Sequence, residues 1–337
     1  MTSSPASETV LDVKNLNVYI KTAVGPLQAT KDVSFQVRRG ETLAIVGESG
    51  CGKTITSLAL MGLLPKAAFV QAESCNFAGT ELQGLTRSQL SRIRGKSMSM
   101  IFQDPMTSLN PVYTIGDQLA EVYVKHGMGN KRAARERAIM LLERVGIKNA
   151  AERLSYYPHQ LSGGLRQRVV IAMALMCGPQ LIIADEPTTA LDVTVQARTL
   201  ALLGELQREF GLALILITHD LGIVASMADR VAVMYAGCVV EAATTEELFR
   251  SPLHPYTQGL MRCIPGRHKA GDSHLHTIPG MVPSLVEIRP GCVFQNRCAM
   301  AIERCGGSDI ELRDVEEAHS FRCIMPQAEL ASSWLHS

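Results

Sequence analysis

Eight consecutive residues, Gly47 to Thr54, fit the pattern of a phosphate-binding loop. An apolar run precedes them, and a helix-compatible run, Ile55 to Leu64, follows. In this context backbone N–H groups surround a polyphosphate, and the N-terminus of the helix adds partial positive charge. Lys53 is expected to reach the β- and γ-phosphates, and the Thr54 hydroxyl to ligate Mg²⁺. The residues predicted to bind the nucleotide here are Ser49, Gly50, Cys51, Gly52, Lys53, Thr54 and Ile55.

Two adjacent carboxylates end a second apolar run. Asp185 and Glu186 follow Leu181 to Ala184 directly. A strand that ends this way places both side chains at the carboxyl edge of a parallel sheet, where ligands of α/β proteins bind. We expect Asp185 to hold Mg²⁺ and Glu186 to polarise the water that attacks the γ-phosphate. Together with the phosphate-binding loop, this pair predicts nucleotide hydrolysis.

Two more polar residues stand where apolar runs end. Gln103 follows Met98 to Phe102, and His219 comes shortly after Leu214 to Ile217. Gln103 is predicted to reach Mg²⁺ and the attacking water. His219 is predicted to contact the γ-phosphate and to orient that water.

A second glycine pair predicts a second phosphate clamp. Ser162 is a good N-cap, and Gly163 and Gly164 expose amides at the start of the helix that continues through Val169 to Met176. One nucleotide does not need two unrelated clamps, so this one is expected to serve a nucleotide on another subunit. Asp192 is predicted to bridge the two subunits. A capped helix that binds nothing is the alternative for this stretch.

Composition limits the other classes of function. The chain has 337 residues, a hydrophobic content of 46% and a net charge of +1. Such a balanced charge creates no strong field toward nucleic acid or an anionic membrane. The N-terminus lacks the layout of a secretory signal, and the longest apolar runs fall short of the roughly 20 residues that span a bilayer. We therefore expect a soluble, cytosolic chain that depends on another polypeptide for any membrane span.

Residue periodicity and composition together predict two domains. Alternating strands and helices, with a helical insertion at about 105–178, predict an α/β domain over residues 8–250. Prolines and glycines become frequent after about residue 251, which predicts a loop-rich module over residues 251–337.

Four of the nine cysteines are concentrated in that module: Cys292, Cys298, Cys305 and Cys323. Their spacing leaves three alternatives open, namely an iron–sulfur cluster, a zinc site or free thiols.

The order of these motifs resembles that of ATP-binding cassette (ABC) ATPases. The segment Leu161 to Leu165, Leu-Ser-Gly-Gly-Leu, is similar to the signature that separates this superfamily from other phosphate-loop enzymes. The resemblance implies an ABC-type nucleotide-binding fold with a RecA-like core, an antiparallel β subdomain and a helical subdomain. It also implies ATP contacts by Ser162, Gly163, Gly164, Gln167 and Asp192. The superfamily often stacks adenine on an aromatic residue, but the chain has Ile20 at that position with Tyr19 beside it, so either Tyr19 stacks on adenine or adenine lies on aliphatic surface.

A narrower resemblance covers nearly the whole chain. Ile101 to Pro111, Ala184 to Asp192, His254 to Thr257 and the tail with Gly291-Cys292 are similar to the ATPases of dipeptide and oligopeptide importers. This implies a peripheral ATPase on the cytoplasmic face of the cell membrane, paired with a paralogous ATPase, two permease subunits and an extracytoplasmic solute-binding protein. The cysteine motif of this family implies a [4Fe–4S] cluster. The alternatives are import of another solute, such as a nickel chelate, or a soluble ABC ATPase that acts on nucleic acid.

Overall fold

The computed structural model describes residues 8–23, 25–189, 192–264, 277–283, 290–316 and 318–335. These residues form two compact units. The first unit contains residues 8–10, 37–41 and 78–217, and the second contains residues 11–36, 42–77 and 218–335. Because the phosphate-binding loop and the C-terminal residues belong to the same unit, the chain returns to its N-terminal half near its end. The domain boundary near residue 250 stays a prediction.

Thirteen strands are present in the described residues. They are β1 (Thr9–Thr22), β2 (Gly25–Arg38), β3 (Thr42–Val46), β4 (Ala68–Gln71), β5 (Ser74–Phe77), β6 (Thr80–Glu81), β7 (Met98–Ile101), β8 (Leu181–Asp185), β9 (Ala213–Thr218), β10 (Arg230–Tyr235), β11 (Cys238–Thr244), β12 (Arg313–Glu316) and β13 (His319–Phe321).

Twelve α-helices accompany them in the described residues. They are α1 (Lys53–Leu60), α2 (Arg87–Ile93), α3 (Pro105–Ser108), α4 (Ile115–Lys125), α5 (Lys131–Arg144), α6 (Ala150–Arg153), α7 (Gly163–Leu175), α8 (Val193–Phe210), α9 (Leu221–Met227), α10 (Thr245–Arg250), α11 (Pro255–Arg262) and α12 (Gln327–Leu335). None of the helices in the described ranges combines the length and the apolar composition needed to cross a bilayer.

The first unit contains a parallel sheet and a group of helices. β8 pairs in parallel with β7 on one side and with β9 on the other. All residues of β8 and β9 are buried, as expected for parallel strands covered on both faces. The predicted helical insertion consists of α3 to α7, in which α4, α5 and α7 pack on one another. Arg137 of α5 donates hydrogen bonds to the carbonyls of Leu175 and Met176 at the C-terminal end of α7, where such carbonyls lack helical partners.

The second unit contains the strand that carries the phosphate-binding loop. β3 pairs in parallel with β10, which forms an antiparallel hairpin with β11. β13 extends this arrangement by pairing with β11, and β12 pairs with β13. A separate antiparallel sheet includes β1, which pairs with β4 and with β5. The antiparallel β subdomain and the α/β core implied by the sequence are therefore both confirmed.

A buried carboxylate connects β11 to the C-terminal residues. The Glu241 side chain is fully buried and accepts hydrogen bonds from the backbone N–H groups of Leu253 (2.7 Å) and His254 (2.8 Å). The ring of His319, on β13, lies 2.8 Å from the same carboxylate. Glu241 thus fixes the start of α11 and the strand pairing of the tail at one point.

His254 makes the stability of this region depend on pH. Burial lowers the pKa of His254 from 6.5 to about 3, and its neutral Nδ1 accepts a hydrogen bond from the Tyr256 N–H (3.1 Å) at the start of α11. Below about pH 6.5 the histidine of the unfolded chain binds a proton, whereas the histidine of the folded chain stays neutral until about pH 3. We therefore expect the free energy of unfolding to fall between pH 6.5 and pH 3, by up to about 1.4 kcal/mol per pH unit.

Denaturant unfolding of His254→Asn across this pH range measures the contribution. Asparagine retains a hydrogen-bond acceptor for the helix N-terminus but does not titrate, so the variant should lose this part of the slope. His159→Asn, at an exposed histidine, should keep it. An unchanged slope in His254→Asn would show that another group causes the pH dependence.

Candidate functional site

The phosphate-binding loop connects β3 to α1 in the second unit. Gly47 has φ 155°, and a Cβ atom at this position would lie 2.1 Å from the carbonyl oxygen of Met234. Gly52, the N-cap of α1, has φ 104°. Both positions therefore require glycine, one because of a neighbouring backbone and the other because of a left-handed conformation.

Lys53 is buried within the loop that precedes it. Its Nζ donates hydrogen bonds to the carbonyl oxygens of Gly47 (2.8 Å) and Glu48 (3.0 Å). The side chain of Ser49 and the first residue after the lysine, Thr54, are exposed, and Ile55 is half-buried. The lysine ammonium is thus held inside the ring of backbone that the sequence pattern predicts for phosphate binding.

Two further predicted contacts of the second unit have partners within the protein. The ring of Tyr19 stacks on Phe69, with centroids 5.0 Å apart, so one of its faces is covered. Cys51 is fully buried, and burial raises the pKa of its thiol. Its position in the loop therefore contributes backbone rather than a reactive side chain.

Gln103 and Glu186 meet in the first unit. The register of β7 and β8 pairs Ile101 with Ala184, so the residues after these strands leave the same edge of the sheet. Gln103 Nε2 donates a hydrogen bond to Glu186 Oε2 (3.3 Å), and Thr189 Oγ1 donates to the same oxygen (2.9 Å). The structure thus brings together two of the three predicted catalytic residues.

The backbone of the carboxylate pair is unusual. Asp185 ends β8 and is buried, whereas Glu186 adopts φ 45°. A left-handed conformation is costly for a non-glycine residue and is concentrated at functional sites. The Glu186 N–H donates to the carbonyl of Ile217 at the end of β9 (3.0 Å), which holds this conformation.

The second predicted clamp is a capped helix in the first unit. Ser162 is the N-cap of α7, and its side chain accepts a hydrogen bond from the Leu165 N–H (3.4 Å). Gly163 and Gly164 form the first turn, where backbone N–H groups have no partner within a helix. Gln167 is fully buried, and among the described residues its side-chain amide has no hydrogen-bond partner.

Asp192 and His219 stand at two other helix starts. The Asp192 side chain caps α8 by accepting from the Val195 N–H (3.0 Å). Ala190 and Leu191, which precede it in the predicted motif, lie outside the described residues. His219 is an exposed residue directly after β9, and Asp220 beside it caps α9.

Comparison with known proteins identifies the two parts of the chain. Residues 30–189 match the family model described as ABC transporter. Residues 240–305 match the model for the C-terminal region of oligopeptide/dipeptide transporters. The oligopeptide transport ATP-binding protein OppD of Haemophilus influenzae is 52% identical over 88% of this chain and 91% of its own length. The chain belongs to the oligopeptide/dipeptide transport ATP-binding family.

Other relatives agree with this family. The dipeptide transport ATP-binding protein DppD of Bacillus subtilis is 51% identical over 88% of the chain and 89% of its own length. Among solved structures, cbiO1 from Clostridium perfringens, part of an ABC transporter complex, has a TM-score of 0.62 with 29% identity over 72% of this chain and 91% of its own. The ATP-binding cassette MJ0796, a post-hydrolysis dimer bound to ADP and Pi, has a TM-score of 0.61 with 26% identity over 70% of this chain and 98% of its own.

The four clustered cysteines of the tail line one small cavity. Cys292, Cys298, Cys305 and Cys323 line it together with His254. Burial, together with the neighbouring thiols, raises the pKa of Cys292 to about 11. Among the described residues, no three His, Cys, Asp or Glu side chains are placed to hold a single metal ion. The predicted clustering is therefore present, but no group of metal ligands is found among the described residues.

Two residues of the family's C-terminal region contact the phosphate-binding loop. Arg297 forms an ion pair with Glu48, and the Tyr256 hydroxyl accepts a hydrogen bond from the Glu48 N–H (3.0 Å). Tyr256 belongs to the motif His254 to Thr257 that carries the family resemblance. Arg297 has no local sequence signal, because its partner is 249 positions away.

Proposed function

We propose that this chain hydrolyses ATP to power the import of peptides through a multi-subunit ABC transporter. The observation that carries the proposal is the presence of both regions, ABC transporter and oligopeptide/dipeptide transporter C-terminal, in one chain. Relatives named for oligopeptide and dipeptide transport cover most of the chain. The balanced net charge of +1 argues against a nucleic-acid substrate, which requires a concentration of positive charge.

The nucleotide contacts follow from the motifs. We propose that Lys53 exchanges its bonds to loop carbonyls for the β- and γ-phosphates, while the loop amides from Ser49 to Ile55 bind phosphate oxygens. Tyr19 would contact adenine with the ring face that is not stacked on Phe69. Thr54, Gln103 and Asp185 supply the hydroxyl, amide and carboxylate oxygens that Mg²⁺ prefers. When bound, Mg²⁺ neutralises charge on the phosphates.

Hydrolysis is assigned to three side chains. Glu186 would accept a proton from the attacking water, and Gln103, hydrogen-bonded to the same carboxylate, would orient that water. His219 would contact the γ-phosphate from the end of β9. The products are ADP and inorganic phosphate.

The second clamp implies a working pair of ATPases. We propose that Ser162, Gly163, Gly164, Gln167 and Asp192 act on a nucleotide bound by a paralogous subunit. Closing the pair excludes water and completes the charges around the triphosphate. Two permease subunits, an extracytoplasmic binding protein and the cytoplasmic face of the membrane complete the proposed assembly.

Reconstitution of the purified intact transporter into vesicles tests the proposal. Import of labelled di- or oligopeptides should require ATP on the side that carries this chain. Import of a nickel chelate instead of peptides would contradict the peptide substrate but not the role in transport. Salt-sensitive nucleic-acid binding without associated permeases would contradict the whole proposal.

We also propose that Cys292, Cys298, Cys305 and Cys323 hold a [4Fe–4S] cluster. A zinc site requires all its ligands within about 2.3 Å of one ion. A four-iron cluster binds each thiolate at a different iron, so its four sulfur ligands lie farther apart. The support for this proposal is that all four cysteines line one cavity. When bound, the cluster would cross-link the loops that carry the four cysteines.

Anaerobic purification followed by iron and sulfide analysis tests this assignment. The full chain should carry about four irons, with visible absorbance. Cys298→Ser should lose both, whereas Cys263→Ser, at a cysteine outside the set, should retain them. Stoichiometric zinc, or four free thiols with no metal, would contradict the cluster.

A further inference from the structure

The phosphate-binding loop is held by an arginine that lies outside the nucleotide-binding motifs. Arg297 Nη1 donates to Glu48 Oε2 (2.6 Å), and Arg297 Nη2 donates to Glu48 Oε1 (3.1 Å). Glu48 is the second residue of the loop, directly after Gly47. Two parallel charge-assisted bonds of this kind fix orientation as well as distance.

The arginine itself is fixed independently of the loop. Its Nε donates to the Pro279 carbonyl (2.8 Å), and its Nη2 also donates to the Ile278 carbonyl (3.1 Å). The guanidinium lies 5.7 Å from the ring centroid of Tyr235, and only 5% of the side chain is exposed. The loop is therefore anchored to a rigid donor rather than to a mobile surface side chain.

A second contact fixes the backbone at the same residue. The Glu48 N–H donates to the Tyr256 hydroxyl (3.0 Å). Tyr256 is fully buried and packs on Tyr235, with centroids 4.6 Å apart, and on Phe294, at 5.4 Å. Phe294 lies between Cys292 and Arg297 in sequence, so the cysteine-lined cavity and the loop share one packed cluster.

From this geometry we infer that Arg297 is a positioning residue for ATP binding. It holds Glu48 so that the backbone amides that follow are ordered before the nucleotide arrives. A loop ordered in advance loses less conformational freedom when it binds, and affinity rises accordingly. This inference rests on the proposed function, since it names a residue that prepares the ATP site.

A double-mutant cycle on the full-length chain tests the inference. The variants are Arg297→Gln, Glu48→Gln and both together, and the measurement is the Kd for ATP by competition with a fluorescent ATP analogue. Each single variant should raise the Kd about fivefold to tenfold, and the double variant no further, because either change removes the same pair. Arg297→Lys should recover only part of the affinity, since an ammonium cannot form two parallel bonds.

Two controls separate positioning from general stability. Arg304→Ala, at an exposed arginine of the same region, should leave the Kd unchanged. Thermal unfolding of every variant shows whether folding is affected. Glu48→Gln leaves Arg297 and its carbonyl contacts in place, so it decides the question even where Arg297→Gln unfolds.

The outcomes are distinct. Unchanged ATP affinity in Glu48→Gln and Arg297→Gln, with wild-type binding intact, would overturn the inference and leave the proposed function standing. If the two single increases in Kd multiply in the double variant, the ion pair between Glu48 and Arg297 is not their cause. Lack of ATP binding by the wild-type chain would overturn the proposed function and the inference together.

Discussion

Replacing Glu186 with glutamine should lower kcat for ATP hydrolysis about 10²- to 10⁴-fold while leaving ATP binding within about twofold of wild type. Glutamine has nearly the same shape and can still contact Gln103 and Thr189, but it cannot accept the proton of the attacking water. The lost interaction exists only in the transition state, so kcat should fall without a matching rise in Kd.

The measurement compares single-turnover hydrolysis with equilibrium binding of ATP in the assembled transporter. Glu205→Gln provides a matched control, because it makes the same change at an exposed position on α8 of the same unit. The control should hydrolyse ATP at the wild-type rate. Substantial turnover in Glu186→Gln would contradict the assignment of Glu186 as the base, and loss of ATP binding would point to a folding defect.

Features that depend on a few neighbouring residues were predictable from the sequence. Ser162 caps its helix, as predicted, because a short polar side chain at a helix start accepts an N–H two or three residues on. The strand before the phosphate-binding loop and the run before Asp185 are both buried strands, as their apolar composition indicates. Such features need no knowledge of the remaining chain.

Features that depend on which elements become neighbours were not predictable in the same way. Gln103 and Glu186 each stand after a predicted strand, but their contact requires that β7 and β8 be adjacent in the sheet. The left-handed backbone conformation of Glu186 could not be predicted, because glutamate rarely adopts it. The stacking of Tyr19 on Phe69 follows from the register of β1 and β4, which pairs these two residues directly.

The contact between Glu48 and Arg297 shows the same limit most clearly. The loop pattern treats Glu48 as a variable position, and the composition after residue 251 indicates only a loop-rich module. The ion pair appears once the chain returns to the loop, 249 positions later. Long-range polar pairs of this kind must be read from the fold.

Altering Ser162 in only one of the two ATPases tests whether the second clamp serves the neighbouring nucleotide. Ser162→Ala removes a hydroxyl at the start of α7, where unpaired amides are available to a phosphate. Loss of one such donor should lower hydrolysis about 10²- to 10³-fold. We expect this loss at the nucleotide bound by the partner's phosphate loop, while the site built on this chain's own Lys53 keeps its activity.

Site-resolved trapping of hydrolysed nucleotide with a photoreactive ATP analogue distinguishes the two sites, because each subunit is labelled separately. Thr114→Ala removes an equivalent N-cap, from α4, and controls for the roughly 1 kcal/mol that a lost cap costs the helix. Under the proposal that the first turn of α7 serves the partner's nucleotide, only the partner's label should disappear in Ser162→Ala. A defect confined to the label on the altered chain would mean that each subunit completes its own site, and the paired arrangement would be wrong.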